Sequence, residues 1–456
     1  MEQRDMPERF DVLFSADDMA DAFSLKAHVR GMLAFEAALA LAEARAGIIP
    51  EDAANVIAGS CRVELFDVAE LYREAEIAGS PAIPLVRILT LQVEGDAKKF
   101  VHWGATSQDA IDTAMMLQMR DGIDLLVNGL LGVCEECEKL AEQHRYSLMA
   151  GRTLLQQAVP ITFGLKAARW LSLAVRQVYA LRERRERSLA VQLGGAAGTL
   201  ASLGDKGIQV VDFLKDELGL AAPDLPWHSE RDRIGEIAGT LGVVAGAMAK
   251  IASDVALLAQ TEIGEASEGA MPGKGGSSAM PQKHNPVDAA IAIASARLAV
   301  GEVSVILSAM TQEHERAVGG WQAEWLAIPN LFRYTSGAVE HVQEMMRGLK
   351  VDPARMSANV EMTQGLIMAE SLTMALAIHV GRPEAQRIVT TLCERAVSSG
   401  VHLRQVVLEE GSVLCILSIE EVDRVLDPGA YLGSTNVFIE RALAAYREVK
   451  ALGDGR

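Results

Sequence analysis

The chain has 456 residues, enough for two or three domains with substantial cores. Half of them are hydrophobic but only 5 % are aromatic, and Ala, Leu, Val, Met and Glu dominate, which favours helix over sheet and sets the expectation of an all-α fold. The net charge of −18, with no Lys/Arg-rich stripe, excludes non-specific nucleic-acid binding, so an anionic ligand must be held by a local cationic or dipolar site against the overall field.

The amino-terminal stretch is charged and mixed, without an apolar h-region, and no uninterrupted apolar run approaches the ~20 residues of a membrane span. These features set the expectation of a soluble, cytoplasmic protein with no membrane partner. Ser24 is placed to cap a helix over "LKAHVRGMLAFEAALALAEARAG", whose apolar residues recur every three or four positions and stop at Gly47. Helices also fit "IPEDAANVIAGS" and the stretch before Gly104, and a boundary falls near residue 110. The expected domains are an N-terminal helical domain (1–110), a central long-helix bundle (111–350) and a C-terminal helical domain (351–456).

The central region holds unusually long helical patterns, from about Asp112 to Met149, Thr162 to Leu189, Ser229 to Glu265, Pro286 to Ala317 and Pro329 to Leu349. A 35-residue helix is roughly 50 Å long, which is bundle scale. In the third of these, apolar residues from Ile237 through Leu241, Val244, Met248, Ile251 and Val255 to Leu258 spread over roughly 200° of the wheel. One partner layer needs only about 100°. The excess points to a second layer and hence to bundles packed together in an oligomer. The last region begins near "LKVDPARM" and reads as shorter helices broken at Pro428 and Gly429. Five scattered cysteines do not suggest a disulfide framework, and the lone CxxC of Cys134 and Cys137 lacks zinc partners, so reduced structural thiols are expected. With no ligand cluster and no nucleotide fingerprint, neither a metal nor an organic cofactor is expected.

Three polar, glycine-containing stretches interrupt the helical spine. "VHWGATSQDAIDTA", from Val101, offers Thr106, Ser107 and Asp109 just before a helix begins, as simple caps or as an anion site made by exposed N–H groups. "GRTLLQQAVPITFG", from Gly151, reads as a connection between two long helices carrying Thr153, Gln156 and Gln157. "GKGGSSAMPQKHNP" (273–286) sets Ser277, Ser278 and Lys283 beside a helix start at Asn285 and Pro286, which suits either a mobile linker or a carboxylate-binding lid.

Together these stretches resemble the fumarase/aspartase superfamily, whose loop has the form GSSxMPxKxNP and matches "GSSAMPQKHNP" here. The resemblance covers essentially the whole chain. Within the superfamily, "VQLGGAAGTLASLG", "PWHSERDRIGE" and "HERAVGGWQAEW" are most similar to the lactone-forming cycloisomerase branch. Membership implies a three-domain, all-helical subunit and a homotetramer in which each active site is assembled from three different subunits. It implies a small-molecule tricarboxylate substrate and a loop serine, Ser277 here, that exchanges the Cα proton. By the same resemblance Lys283, Asn285, Thr106, Ser107, Thr153 and Gln156 bind carboxylates, and Arg316 joins them because a guanidinium can grip a carboxylate bidentately. His102 competes with Ser277 as proton donor; its alternative role is to pack beside Trp103 and orient the first stretch.

Two departures stand out. Superfamily members such as fumarase carry a histidine where this chain has Leu154 and a paired glutamate where it has Ala290. That relay serves a poor leaving anion, whereas a substrate carboxylate with a pKa near ~4 is already deprotonated when it attacks to close a lactone. The rival readings are an adenylosuccinate-lyase-type enzyme, which would need histidine acid chemistry, and a non-catalytic structural oligomer on the same fold, which the retained Ser277, Lys283 and Asn285 disfavour.

Overall fold

A computed structural model describes residues 10–269 and 274–452. The first nine residues, part of the charged and mixed amino-terminal stretch, and Gly273, the first residue of the 273–286 loop, lie outside the described residues. The fold is all-α apart from four short strands among those residues. Helix α1 (Leu25–Arg45) starts where expected, because the Ser24 hydroxyl accepts the Ala27 N–H at 3.2 Å. It ends before Gly47, whose φ of 68° reverses the chain.

The five long patterns appear as α2 (Ser107–Gln143), α3 (Phe163–Arg187), α4 (Asp232–Leu258), α5 (Val287–Ala309) and α6 (Gly320–Arg347). Most ends differ from the expected ones by several residues, and α6 differs most. It begins at Gly320 and runs through Pro329. A proline there forfeits one helical hydrogen bond, and tertiary packing offsets that loss: Leu331 and Phe332 are buried, with the Phe332 ring stacked on Phe23 at 4.8 Å.

The segment expected as a connection between α2 and α3 is instead a β-hairpin, β1 (Leu148–Thr153) and β2 (Gln156–Thr162), paired from Leu148↔Thr162 to Thr153↔Gln156. Met149, Ala150 and Gly151 are buried in succession, so the alternation that would reveal a strand is missing from the sequence. A second antiparallel pair joins β3 (Ala266–Ser267) to β4 (Lys350–Val351).

The chain divides into two compact units, and α2 to α6 each contribute residues to both. The first comprises Met1–Leu130, Gln177–Lys250 and Ile291–His341. At its centre Arg231 is buried between Asp112, whose oxygens lie 2.8 and 3.0 Å from its guanidinium, and Glu324. The second comprises Leu131–Arg176, Ile251–Ala290 and Val342–Arg456. Its C-terminal helices close on Leu372, Leu376, Val389, Leu392, Leu403 and Val407. Cys134 and Cys137 are buried free thiols, and burial pushes Cys134 up to about 12, consistent with structural cysteines.

By length and mean hydropathy α4 and α5 would each suffice to cross a membrane, although neither holds an uninterrupted apolar run of that length. Both carry charged side chains within their length, which break the run without lowering its mean hydropathy below span level. In the bundle these charges are partnered: Asp254 accepts Trp170 Nε1–H at 2.8 Å, and Glu302 accepts from Asn330 at 3.3 Å.

Glu43, on α1, is fully buried and neither carboxyl oxygen has a hydrogen-bond partner. Burial, with the charge of Glu36 adding, pushes its pKa up to about 9. The folded chain therefore binds a proton that the unfolded chain releases above its ordinary pKa, so this group removes stability as pH rises from about 4.5 to 9. Glu43→Gln should raise stability near neutral pH by ~1–3 kcal/mol and flatten its decline over that window, as measured by denaturant unfolding at several pH values.

Candidate active site

The sequence-predicted residues fall into three polar clusters. In the first unit, Thr106 and Arg316 come together although 210 positions separate them: Arg316 Nη1 donates to Thr106 Oγ1 at 2.9 Å. Arg316 Nη2 reaches the carbonyls of Gly195 and Ala196 at 3.4 and 3.3 Å. Its Nε is buried without a partner, and no carboxylate pairs with it among the described residues. Ser107 opens α2 beside this group. The turn that receives Arg316 requires glycine at 195, where φ is 68° and a Cβ would sit 2.9 Å from the Gly104 carbonyl oxygen.

His102 lies in the same unit, in a left-handed conformation with φ 57°. Its Nδ1 is 2.6 Å from Oε1 of Glu36, a carboxylate that is only 1 % exposed. Burial alone would lower the imidazole pKa, but the charge and hydrogen bond of Glu36, with Asp109 adding, raise it above the ordinary value. His102 is thereby favoured as an imidazolium, which can hold an anion or give up a proton. Glu36 sits in the middle of an amphipathic helix pattern, and a buried carboxylate in such a run was the available clue; the sequence offered nothing to pair it with His102.

In the second unit, Thr153 and Gln156 face each other across the hairpin tip. Between them Leu154 and Leu155 form the turn, with φ of 50° and 64°, and are 97 % and 71 % exposed. Such turns normally take Asn-Gly, because a branched or bulky residue there costs of order 1–3 kcal/mol. The hairpin is fastened by a bidentate pair from Arg152 to Glu265 at 2.8 and 2.7 Å, and Asn359 Nδ2 donates to the same carboxylate at 2.8 Å. The sequence reading singled out none of these three.

The loop carrying Ser277, Lys283 and Asn285 is tied at its base. Asn285 N–H donates to the Gly275 carbonyl at 2.8 Å, Lys274 pairs with Asp288, and the Glu268 carboxylate caps α5 by accepting from Asp288 and Ala289 N–H at 3.1 and 2.8 Å. Gly275 takes φ 73°, and a Cβ there would lie 2.8 Å from the Asn285 oxygen. Ser277 Oγ accepts the N–H groups of Ala279 and Met280 at 3.3 and 3.1 Å, which engages its lone pairs and leaves its proton free to be donated. Lys283 Nζ makes no hydrogen bond or ion pair among the described residues, and none links this loop's candidates to Thr153 or Gln156. A groove of about 750 Å³ between the helices Ala369–Val380 and Arg382–Ser399 is lined by none of the candidate residues.

A family profile described as "Lyase" matches residues 11–301, and one described as "Adenylosuccinate lyase C-terminus" matches 365–442. The chain belongs to the fumarase/aspartase superfamily of lyases. Over 440 residues it is 46 % identical to a 3-carboxy-cis,cis-muconate cycloisomerase of Pseudomonas aeruginosa, covering 96 % of each chain. It resembles the crystal structure of the 3-carboxy-cis,cis-muconate lactonizing enzyme of Pseudomonas putida with a TM-score of 0.90 and 42 % identity, over 97 % of this chain and 99 % of that one. The corresponding values for the beta-carboxy-cis,cis-muconate cycloisomerase of Acinetobacter calcoaceticus are 0.89, 40 %, 95 % and 99 %. The superfamily resemblance drawn from three short stretches thus extends to the whole chain.

Two predictions follow from the geometry. Replacing Leu154 and Leu155 together by Asn and Gly should raise thermal stability, since it relieves two strained backbones and removes exposed apolar surface; a lower melting temperature would contradict the strain. In Glu36→Gln the His102 titration midpoint, read by histidine-selective NMR, should fall from above 6.5 to below it. The stability from this pair is complete below about pH 6.5 and fades as pH rises through the raised midpoint, and that fading should vanish in the variant.

Proposed function

We propose that the protein is a cycloisomerase that converts 3-carboxy-cis,cis-muconate to its γ-lactone by intramolecular carboxylate addition and protonation of Cα. The observation that carries this reading is the 46 % identity to the Pseudomonas aeruginosa cycloisomerase over nearly the full length of both chains. Position 154 fits the same chemistry. A leucine at the hairpin tip and an exposed methyl at Ala290 can neither take nor give a proton, so a reaction needing a histidine relay there is disfavoured.

The attacking group needs no base. A substrate carboxylate, with a pKa near ~4, is an anion at neutral pH, and attack within one molecule gains a proximity advantage on the order of 7 kcal/mol when well oriented. The C–O bond forms as the C=C electron pair moves toward Cα and its carboxylate, and one proton must then reach Cα. Ser277 is assigned that delivery: its oxygen already accepts two backbone N–H groups, which would stabilise the alkoxide left behind. His102, whose pKa Glu36 raises, is the competing donor. Thr106, Ser107, Thr153, Gln156, Lys283, Asn285 and Arg316 are assigned to the three carboxylates.

The same reading includes the three-domain division at 110 and 350 and a homotetramer whose active sites combine stretches from different subunits. Support for assembly comes from α5, where only 28 % of the most apolar window is buried within one chain and Leu298, Val300, Val305 and Leu307 stand exposed. On α4, Val243 is likewise exposed, on the wide apolar arc seen in the sequence.

Loss of muconate ultraviolet absorbance, followed beside an adenylosuccinate assay, tests the reaction: turnover of the first substrate alone is expected, and turnover of the second alone overturns the proposal. Ser277→Ala should cut kcat by roughly a hundredfold or more while substrate still binds; near-normal turnover would transfer the proton-donor role to His102.

A further inference from the structure

Asp109 has a fully buried carboxylate met by four donors from three parts of the chain. Oδ1 accepts the Gly194 N–H at 3.0 Å and lies 2.7 Å from His228 Nε2; Oδ2 accepts the N–H groups of Gly195 at 3.0 Å and Thr106 at 2.9 Å. Three of these donors are backbone groups. The fourth must carry its proton on Nε2 to face a carboxylate at that distance. His228 is itself buried, and Gln108 Nε2 holds its carbonyl at 2.9 Å.

The residues gathered on one side of Asp109 are the ones that receive Arg316 on the other. Thr106 lends its N–H to Asp109 and its Oγ1 to Arg316; Gly195 lends its N–H to Asp109 and its carbonyl to Arg316. A helix cap alone would use only the Oδ2 bond to Thr106. The bonds to Gly194 and His228 close no helix turn, and a buried carboxylate with every lone-pair direction filled fixes its donors far more tightly than a cap needs.

We infer that Asp109 and His228 are a positioning pair for a substrate-carboxylate subsite: they pin Thr106 and the Gly194–Gly195 turn so that the Arg316 guanidinium, which has no acidic partner among the described residues, is presented to a carboxylate of the ligand. The inference rests on the cycloisomerase reading only for the identity of that ligand. Neither residue touches the reacting atoms, so their loss acts on binding that ground state and transition state share.

The test compares wild type with Asp109→Asn, His228→Leu and His228→Gln, reading kcat and KM with 3-carboxy-cis,cis-muconate and, separately, the Kd of tricarballylate by calorimetry. Glutamine is chosen because its Nε2 can take the place of the imidazole Nε2 as a donor. Asp109→Asn and His228→Leu should raise KM and the tricarballylate Kd together by about tenfold or more, with kcat within about threefold; His228→Gln should return both to within about threefold of wild type. The inference is overturned if His228→Leu binds tricarballylate like wild type, if His228→Gln is as impaired as His228→Leu, or if kcat falls alone. Should circular dichroism show Asp109→Asn or His228→Leu unfolded, His228→Asn, whose shorter amide cannot reach Oδ1, replaces it with the same expectation as His228→Leu. A wild type that binds tricarballylate but leaves the muconate untouched sinks the proposed reaction while the binding series still decides the positioning pair; one that does neither sinks both.

Discussion

Arg231 is the constraint on which the first unit depends. Its guanidinium stands one residue ahead of α4, takes Asp112 from α2 and Glu324 from α6, and lies over the Trp227 ring at 4.7 Å. Burial works against its charge, and the two carboxylates more than restore it. Around it Trp321 Nε1 donates to Oδ1 of Asp112, and Gln108 Nε2 and Gln192 Nε2 donate to Oδ2. Charges this deep persist only when paired and fully hydrogen-bonded, and removing one partner typically costs ~3–5 kcal/mol. The network therefore joins three helices in one register, and the first turn of α2, with Thr106 at its head, is set by it.

The two units carry different parts of the proposed chemistry. In the second unit the hairpin tip offers leucines, the helix after the loop offers a methyl group, and the loop offers a serine held by two N–H groups; in the first unit a histidine is held by a buried glutamate. In the proposed reaction the serine and the histidine are each a candidate to part with a proton. A ring closure by a carboxylate needs nothing else from the protein but grip and orientation.

The sequence made the helical spine legible because its period persists over many turns, and it marked Ser277, Lys283 and Asn285 as candidates because they fit a distinctive loop motif. It also placed Arg316 among the candidates, and Arg316 does meet Thr106 across 210 positions. What it hid has a common physical reason. Glu36, Glu265 and His228, like the remote partners of Asp109, act through buried pairings across the chain, and a buried polar residue looks like any other break in an apolar pattern until its partner is known. The hairpin was hidden because its first strand is buried on both faces. Pro329 misled as a helix start because local preference was overruled by packing from Phe23 and Phe332.

The tie between Asn285 and Gly275 turns residues 276–284 into a closed ring of backbone, stitched again outside by Lys274 and Asp288. Any displacement of this ring carries Ser277 together with the two N–H groups that cradle its oxygen. The hydroxyl thus keeps the same two backbone donors wherever the ring travels, and two dipoles already aimed at an oxygen need no rearrangement when negative charge develops on it.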